Sequence, residues 1–102
     1  MVKVTKAIAV KRLEDVSQEK LFLCQDGQVL KNLEELEAAL RKMDDGTFHY
    51  HSSETKSDFS NWVRDVVGDE KLSRDLSKCN TRSEAAKCVA DRIAWLKNRM
   101  TV

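Results

Sequence analysis

The sequence predicts an α+β domain dominated by helices, with a small β-sheet at one edge. Three observations carry that expectation. Apolar residues recur at helical spacing in four segments, each preceded by a residue able to cap a helix. The chain has no proline and only three glycines, too few punctuators for a turn-rich all-β fold. A single Asp26-Gly27 dipeptide lies between two short apolar runs, which is the signal of a hairpin. Strands are accordingly expected near 20–24, 29–30 and 48–51, packed against about four helices at 32–44, 58–67, 70–78 and 82–100. A chain of 102 residues makes one domain, 1–102.

The elements follow in order. Residues 1–18 admit two readings. Ala7, Val10, Leu13 and Val16 recur at three-residue steps, as in a helix, whereas MVKVTKAIAV alternates like a strand. Glu19 to Cys24 reads as a strand, and Val29-Leu30 can pair back on it across the Asp-Gly turn. Asn32, with Glu35 three residues on, forms a capping pattern. Leu33, Leu36, Leu40 and Met43 then line one helical face, ended by Asp44-Asp45-Gly46. Phe48 to His51 reads as a strand with Phe48 and Tyr50 on one side and His49 and His51 on the other. A polar loop, 52–57, follows.

Ser57 or Asp58 can cap the next helix, where Phe59, Trp62, Val63, Val66 and Val67 fall within an arc of about 140°. Gly68 suits its left-handed C-terminal position. Asp69 can cap a shorter helix carrying Leu72 and Leu76. Thr81 with Glu84 opens the longest one, whose stripe is Ala86, Val89, Ile93, Leu96 and Met100.

Composition bounds the function. Apolar residues are 41% and charged residues 34% of the chain, as in globular proteins. A net charge of +1 provides no whole-protein field toward nucleic acid or membrane. The longest early apolar run, Ala7 to Val10, is too short for a signal peptide or a membrane span, so a cytoplasmic location is the expectation. Three cysteines, Cys24, Cys79 and Cys88, fit buried thiols of that compartment better than a disulfide framework.

Four constellations could carry chemistry. His49 and His51, two apart on a strand, would offer two metal ligands, but no further ligand stands at a telling spacing, and neither metal nor cofactor is expected. His51 with Asp58 could be a general base oriented by a carboxylate, near Ser52, Ser53, Ser57 and Ser60. The favoured reading is a structural clamp between strand end and helix start, because most such polar groups serve local structure. Trp62 belongs to the core arc. Trp95 lies roughly 100° or more off the stripe of the last helix, where Arg92 and Arg99 can stack on its indole. That cluster reads as either a second buried contact or an exposed partner surface. The basic residues Arg82, Lys87, Arg92, Lys97 and Arg99 scatter around this helix, unlike those of a recognition helix.

The order Phe48-x-x-His51, Asp58-Phe59-x-Asn61-Trp62-Val63 and Val66-x-Gly68-Asp69-x-x-Leu72 resembles an uncharacterised family of small archaeal and bacterial domains. That family reads roughly F-x-x-H, N-D-F-A-N-W-V and V-x-G-D-x-x-L-A. The segment Asn32 to Leu36 is similar to its L-E-E-L entry, and Ala85-Ala86 to Leu96 is similar in spacing. The chain departs at Ser57, where Asn is frequent, and at Ser73, where Ala is usual. The resemblance implies one compact prokaryotic unit and assigns no catalytic residue, cofactor or partner. The leading expectation is therefore a small cytoplasmic non-catalytic binding or accessory module with a protein partner and no membrane contact. Two alternatives compete with it: nucleic-acid binding through the C-terminal helices, and a hydrolase-like enzyme using His51 with Asp58.

Overall fold

The computed structural model describes residues 3–53 and 55–101. Met1 and Val2, where the strand reading of the N-terminus begins, and Glu54 of the expected loop lie outside them. The described N-terminal segment is helical: α1, Lys6–Leu13, is capped by Thr5, whose Oγ1 accepts from the Ile8 N–H. A 3₁₀ turn, Gln18–Lys20, leads into β1, Phe22–Leu23, which pairs antiparallel with β2, Val29–Leu30. The hairpin loop is a type I turn, Gly27 N–H to Cys24 carbonyl at 3.0 Å, closed by Gly27 at φ +97°. Asp26 Oδ1 accepts from the Gln28 N–H and holds the turn.

Helix α2, Leu33–Lys42, starts at Asn32, whose Oδ1 accepts from the Glu35 N–H at 2.8 Å. The Glu35 carboxylate reaches back one residue further than a capping box requires, to the Lys31 N–H. Helix α3, Asp45–His51, replaces the third strand expected at 48–51. Asp44 both follows the end of α2 and caps α3, its Oδ1 accepting from the Thr47 N–H at 2.7 Å. This hydrogen bond to the charged form lowers the Asp44 carboxyl below its ordinary range. The buried positions Thr47, Phe48 and His51 have helical, not alternating, spacing, and the exposed Tyr50 breaks the strand pattern. In four residues the two periods are not separable; the cap decides.

Helix α4, Asp58–Trp62, is capped by Ser57 Oγ, not by Asp58. The helix expected over 58–67 changes pitch halfway, continuing as a π-helical turn at Val63–Val67. The N–H groups of Gly68 (φ +88°) and Asp69 both converge on the Val63 carbonyl, at 2.7 and 3.1 Å. Helix α5, Glu70–Ser77, is capped by Asp69, and α6, Arg82–Met100, opens with the Thr81–Glu84 capping box.

Among the described residues the sheet is a two-stranded hairpin, so the molecule is helix-dominated and the expected sheet covered by four helices is corrected. The helices pack chiefly on one another: α6 runs along α1 and α2, and α5 bridges α4 to α6. A radius of gyration of 12.9 Å matches the ~13 Å of a single domain of this length. The hairpin's inner residue Phe22 joins Phe48, Phe59 and Trp62 in the core, while Leu23 and Val29 face outward. Phe59 stacks on Phe22 at 5.2 Å and Phe48 at 5.9 Å.

This packing predicts that Phe59→Ala costs about 3–5 kcal/mol, transfer plus cavity. Tyr50→Ala, at an exposed position of the neighbouring helix, should stay within about 0.5 kcal/mol of wild type. Urea unfolding of both variants checks the pair.

Candidate functional site

The His51–Asp58 pair is where three segments of the fold converge. Helix α3 points His51 inward, 5% exposed, beside Phe22 and Phe59. Its Nδ1 lies 2.9 Å from Asp58 Oδ2, in the first turn of α4. Its Nε2 accepts from the Gln25 N–H of the hairpin loop, also at 2.9 Å. A backbone N–H can bond only to an unprotonated ring nitrogen, so Nδ1 carries the proton and donates it to Asp58. One side chain thus joins three segments.

The loop between them is closed by a β-bridge, Ser52 to Ser57, and by the Ser53 N–H to Lys56 carbonyl bond. Lys56 Nζ sits 3.5 Å from Asp58 Oδ2 and 4.9 Å from the centre of the Tyr50 ring. A general base needs a free lone pair aimed at a substrate proton. The Nε2 lone pair of His51 is occupied by Gln25, and Ser53, Ser57 and Ser60 are engaged elsewhere. Ser57 caps α4, and Ser53 Oγ lies 3.4 Å from Thr55 Oγ1. Ser60 and Ser73 exchange reciprocal hydroxyl-to-carbonyl bonds at 2.7 and 2.9 Å, locking α4 to α5.

His49 and His51, expected on one strand face, sit two apart on a helix, about 200° apart around it. His49 is exposed and His51 buried. Among the described residues no group of three or more His, Cys, Asp or Glu is placed to hold a metal ion.

The three thiols are free. Burial first, then the Asp26 charge, pushes the Cys24 thiol up to about 11. Burial pushes the Cys88 thiol up to about 12, with Cys79 and Asp75 adding to it, and raises Cys79 as well. A thiol raised in this way is protonated near neutral pH and is a poor nucleophile.

The last helix holds what the sequence reading missed. Asp69, with no exposed surface, receives a two-pronged ion pair from Arg92: Nε to Oδ2 at 2.7 Å and Nη2 to Oδ1 at 3.1 Å. Its Oδ1 also accepts the Leu72 N–H that caps α5. The signal was present: Arg92 stands three residues after Val89 and four before Leu96, inside the apolar stripe, where an unpaired cation is unfavourable. On its outer side the Arg92 guanidinium lies 4.4 Å from the centre of the Trp95 indole, and Arg99 covers the same ring at 4.5 Å. Trp95 remains 37% exposed.

Two measurements test this geometry. In a double-mutant cycle of His51→Ala and Asp58→Asn, urea unfolding should return a coupling of about 1–2 kcal/mol. His51→Ala alone should cost more, because it also strands the Gln25 N–H and opens a cavity. The cysteines predict an alkaline limit. Cys88 is held neutral by the fold, so its contribution is fully present below the ordinary thiol value of 9.0 and is lost as pH climbs toward about 12. The urea midpoint should therefore fall above pH 9, and fall less steeply in Cys88→Ala.

No curated protein and no solved structure matches the chain. A family model does, over residues 6–96. The matched span begins with α1 and includes the hairpin, the His51 clamp, Asp69, Arg92 and Trp95. With all but the two ends of the chain inside that match, the protein belongs to the family of unknown function DUF5752.

Proposed function

We propose that this chain is a non-catalytic binding or accessory module of a prokaryotic cytoplasm, and that its contact surface is the Trp95 face of α6. The observation that carries the reading is an exposed indole with two guanidinium groups over its ring. Arg92 is fixed from behind by Asp69, so the ring is presented by a rigid helix instead of a loop. Trp and Arg are the residue types most enriched among the energetic anchors of protein interfaces. Arg99 makes no ion pair among the described residues, which suits a partner carboxylate. The occupied ring nitrogens of His51 support the non-catalytic part of the reading. The three free thiols suit a reducing compartment, and no helix among the described residues is long and apolar enough to cross a membrane.

The charge pattern of α6 supports a protein partner over nucleic acid. Arg82 is bonded to Asp45 and to the Leu40 and Arg41 carbonyls, Lys87 to Asp91, Arg92 to Asp69 and Lys97 to Glu34. Phosphate contacts would have to compete with these bonds.

The test is affinity capture with wild type, Trp95→Ala and Arg99→Ala, followed by titration of the protein recovered. A partner of stated mass should bind wild type and lose at least tenfold in Kd in both variants, with the urea midpoint nearly unchanged. Hydrolytic turnover abolished by His51→Ala in a folded protein would instead assign an enzyme. Salt-dependent binding to duplex DNA lost in Arg99→Ala would assign the nucleic-acid reading.

A further inference from the structure

A second feature is independent of the Trp95 face. Asp69 is approached by two arginines, not one. Arg92 takes both carboxylate oxygens, and the Leu72 N–H takes a further lone pair. Arg12, on the last turn of α1, comes only to 3.9 Å from Oδ1, beyond hydrogen-bond range. The Arg12 side chain is just 15% exposed, yet its guanidinium donates no hydrogen bond to any described residue. Arg12, Asp69 and Arg92 together form a largely buried Arg–Asp–Arg cluster with one uncompensated positive charge. No buried side-chain nitrogen among the described residues lacks a partner, so the unbonded donors of Arg12 open onto solvent, where water or a ligand can meet them.

Arg12 lines the cleft where that charge can be met. The cleft has a volume of about 260 Å³ and lies between the end of α1 and the π turn. That is just under the ~300–1,000 Å³ of drug-sized ligand sites, so it suits a metabolite-sized molecule. Lys11 and Lys20 add two more cations to its wall, and neither has an ion-pair partner among the described residues. Three carboxylates also line it. Asp65 is held by Arg64 at 2.9 Å, and this bond lowers its carboxyl below the ordinary value. Asp15 is engaged by Asn32 at 2.8 Å and by Lys31 at 3.8 Å. Glu14 alone is free to oppose an anion. Val16, Val66 and Val67 supply apolar surface beside the charges. The pitch change at Val63–Val67 shapes this wall, and π turns of this kind concentrate at functional sites.

We infer that this cleft binds a small molecule through an oxyanion, a phosphate or a carboxylate, with Arg12 as the principal ligand and Lys11 and Lys20 at the rim. The anion takes the free donors of the Arg12 guanidinium, which offers two parallel N–H groups suited to either group. Its apolar body rests on Val66 and Val67.

The probes are inorganic phosphate and acetate, titrated separately into the full chain at constant ionic strength with chloride as the balancing salt. Backbone and Arg side-chain N–H shifts are followed by NMR, and the thermal midpoint is measured in parallel. The expected result is saturable shifts confined to Arg12 and to the amides of residues 11–20 and 65–67, with a raised midpoint. Arg12→Gln should weaken the anion at least tenfold. Lys20→Gln, at an exposed rim position, should weaken it a few-fold without altering the fold. Tighter phosphate than acetate identifies a phosphoryl ligand, and the reverse order a carboxylate. In phosphate-free chloride buffer, Arg12→Gln should be as stable as wild type or more so, because it removes one of two like charges that share Asp69. Shifts that are linear in concentration, equal in chloride alone, or unchanged in Lys20→Gln would overturn the proposal. So would a destabilised Arg12→Gln whose midpoint still rises with phosphate as wild type does.

Discussion

The second half of the chain depends on one carboxylate with no contact to solvent. Asp69 follows the left-handed Gly68 that closes the π turn, caps α5 through the Leu72 N–H, and pairs with Arg92 on α6. Two helix ends and one helix side therefore meet at two oxygen atoms. Moving a carboxylate and a guanidinium out of water is costly, and a buried pair of this kind often contributes little net stability against apolar residues of equal volume. Its effect lies in geometry. A two-pronged bond is satisfied at one rotation and one height of α6 relative to α5, and an apolar stripe alone would tolerate neighbouring registers.

The first half has a weaker counterpart. His51 is tied at both ring nitrogens, one to the hairpin loop and one to the start of α4. Its ring lies 5.2 Å from Phe22 and 5.4 Å from Phe59, Phe22 in turn lies 5.8 Å from Trp62, and the Trp62 indole N–H donates to the Lys20 carbonyl at 2.8 Å. A two-residue hairpin has little stability of its own. Here it is held because one of its inner residues is an aromatic core member and two of its flanking backbone groups are bonded by ring nitrogens. His51, Phe59 and Trp62 thus anchor a minimal sheet to a helical core.

The same interaction that sets the register of α6 also organises its surface. Because Asp69 fixes the Arg92 guanidinium edge-on, the flat face of that group is left to support Trp95. An indole supported in this way loses little conformational freedom when a partner covers it, which favours recognition. On the other side, the carboxylate bonded to Arg92 leaves Arg12 only a longer ion pair at 3.9 Å, and Arg12 lines the cleft beside the π turn. A structural ion pair with an odd number of members connects the two surfaces.

Much of this was legible in the sequence, and the residues explain why. Local hydrogen bonds are specified by residues three or four apart, so the caps at Asn32, Asp69 and Thr81, the turn at Asp26-Gly27 and the stop at Gly68 could be read directly. The stripes of α2, α5 and α6 followed from spacing, as did the contact of Arg92 and Arg99 with Trp95, which are helical neighbours. Segment 48–51 is helical where its alternation suggests a strand, because four residues contain too little periodicity to distinguish the two, and the deciding bond, Thr47 N–H to Asp44, lies just upstream, at the end of α2. The change to a π turn, the Gln25 bond to His51 and the pairing of Asp69 with Arg92 across 23 residues are not encoded in any local pattern. They arise only once helices have docked, because each joins groups that are distant in the chain and gains its strength from the exclusion of water.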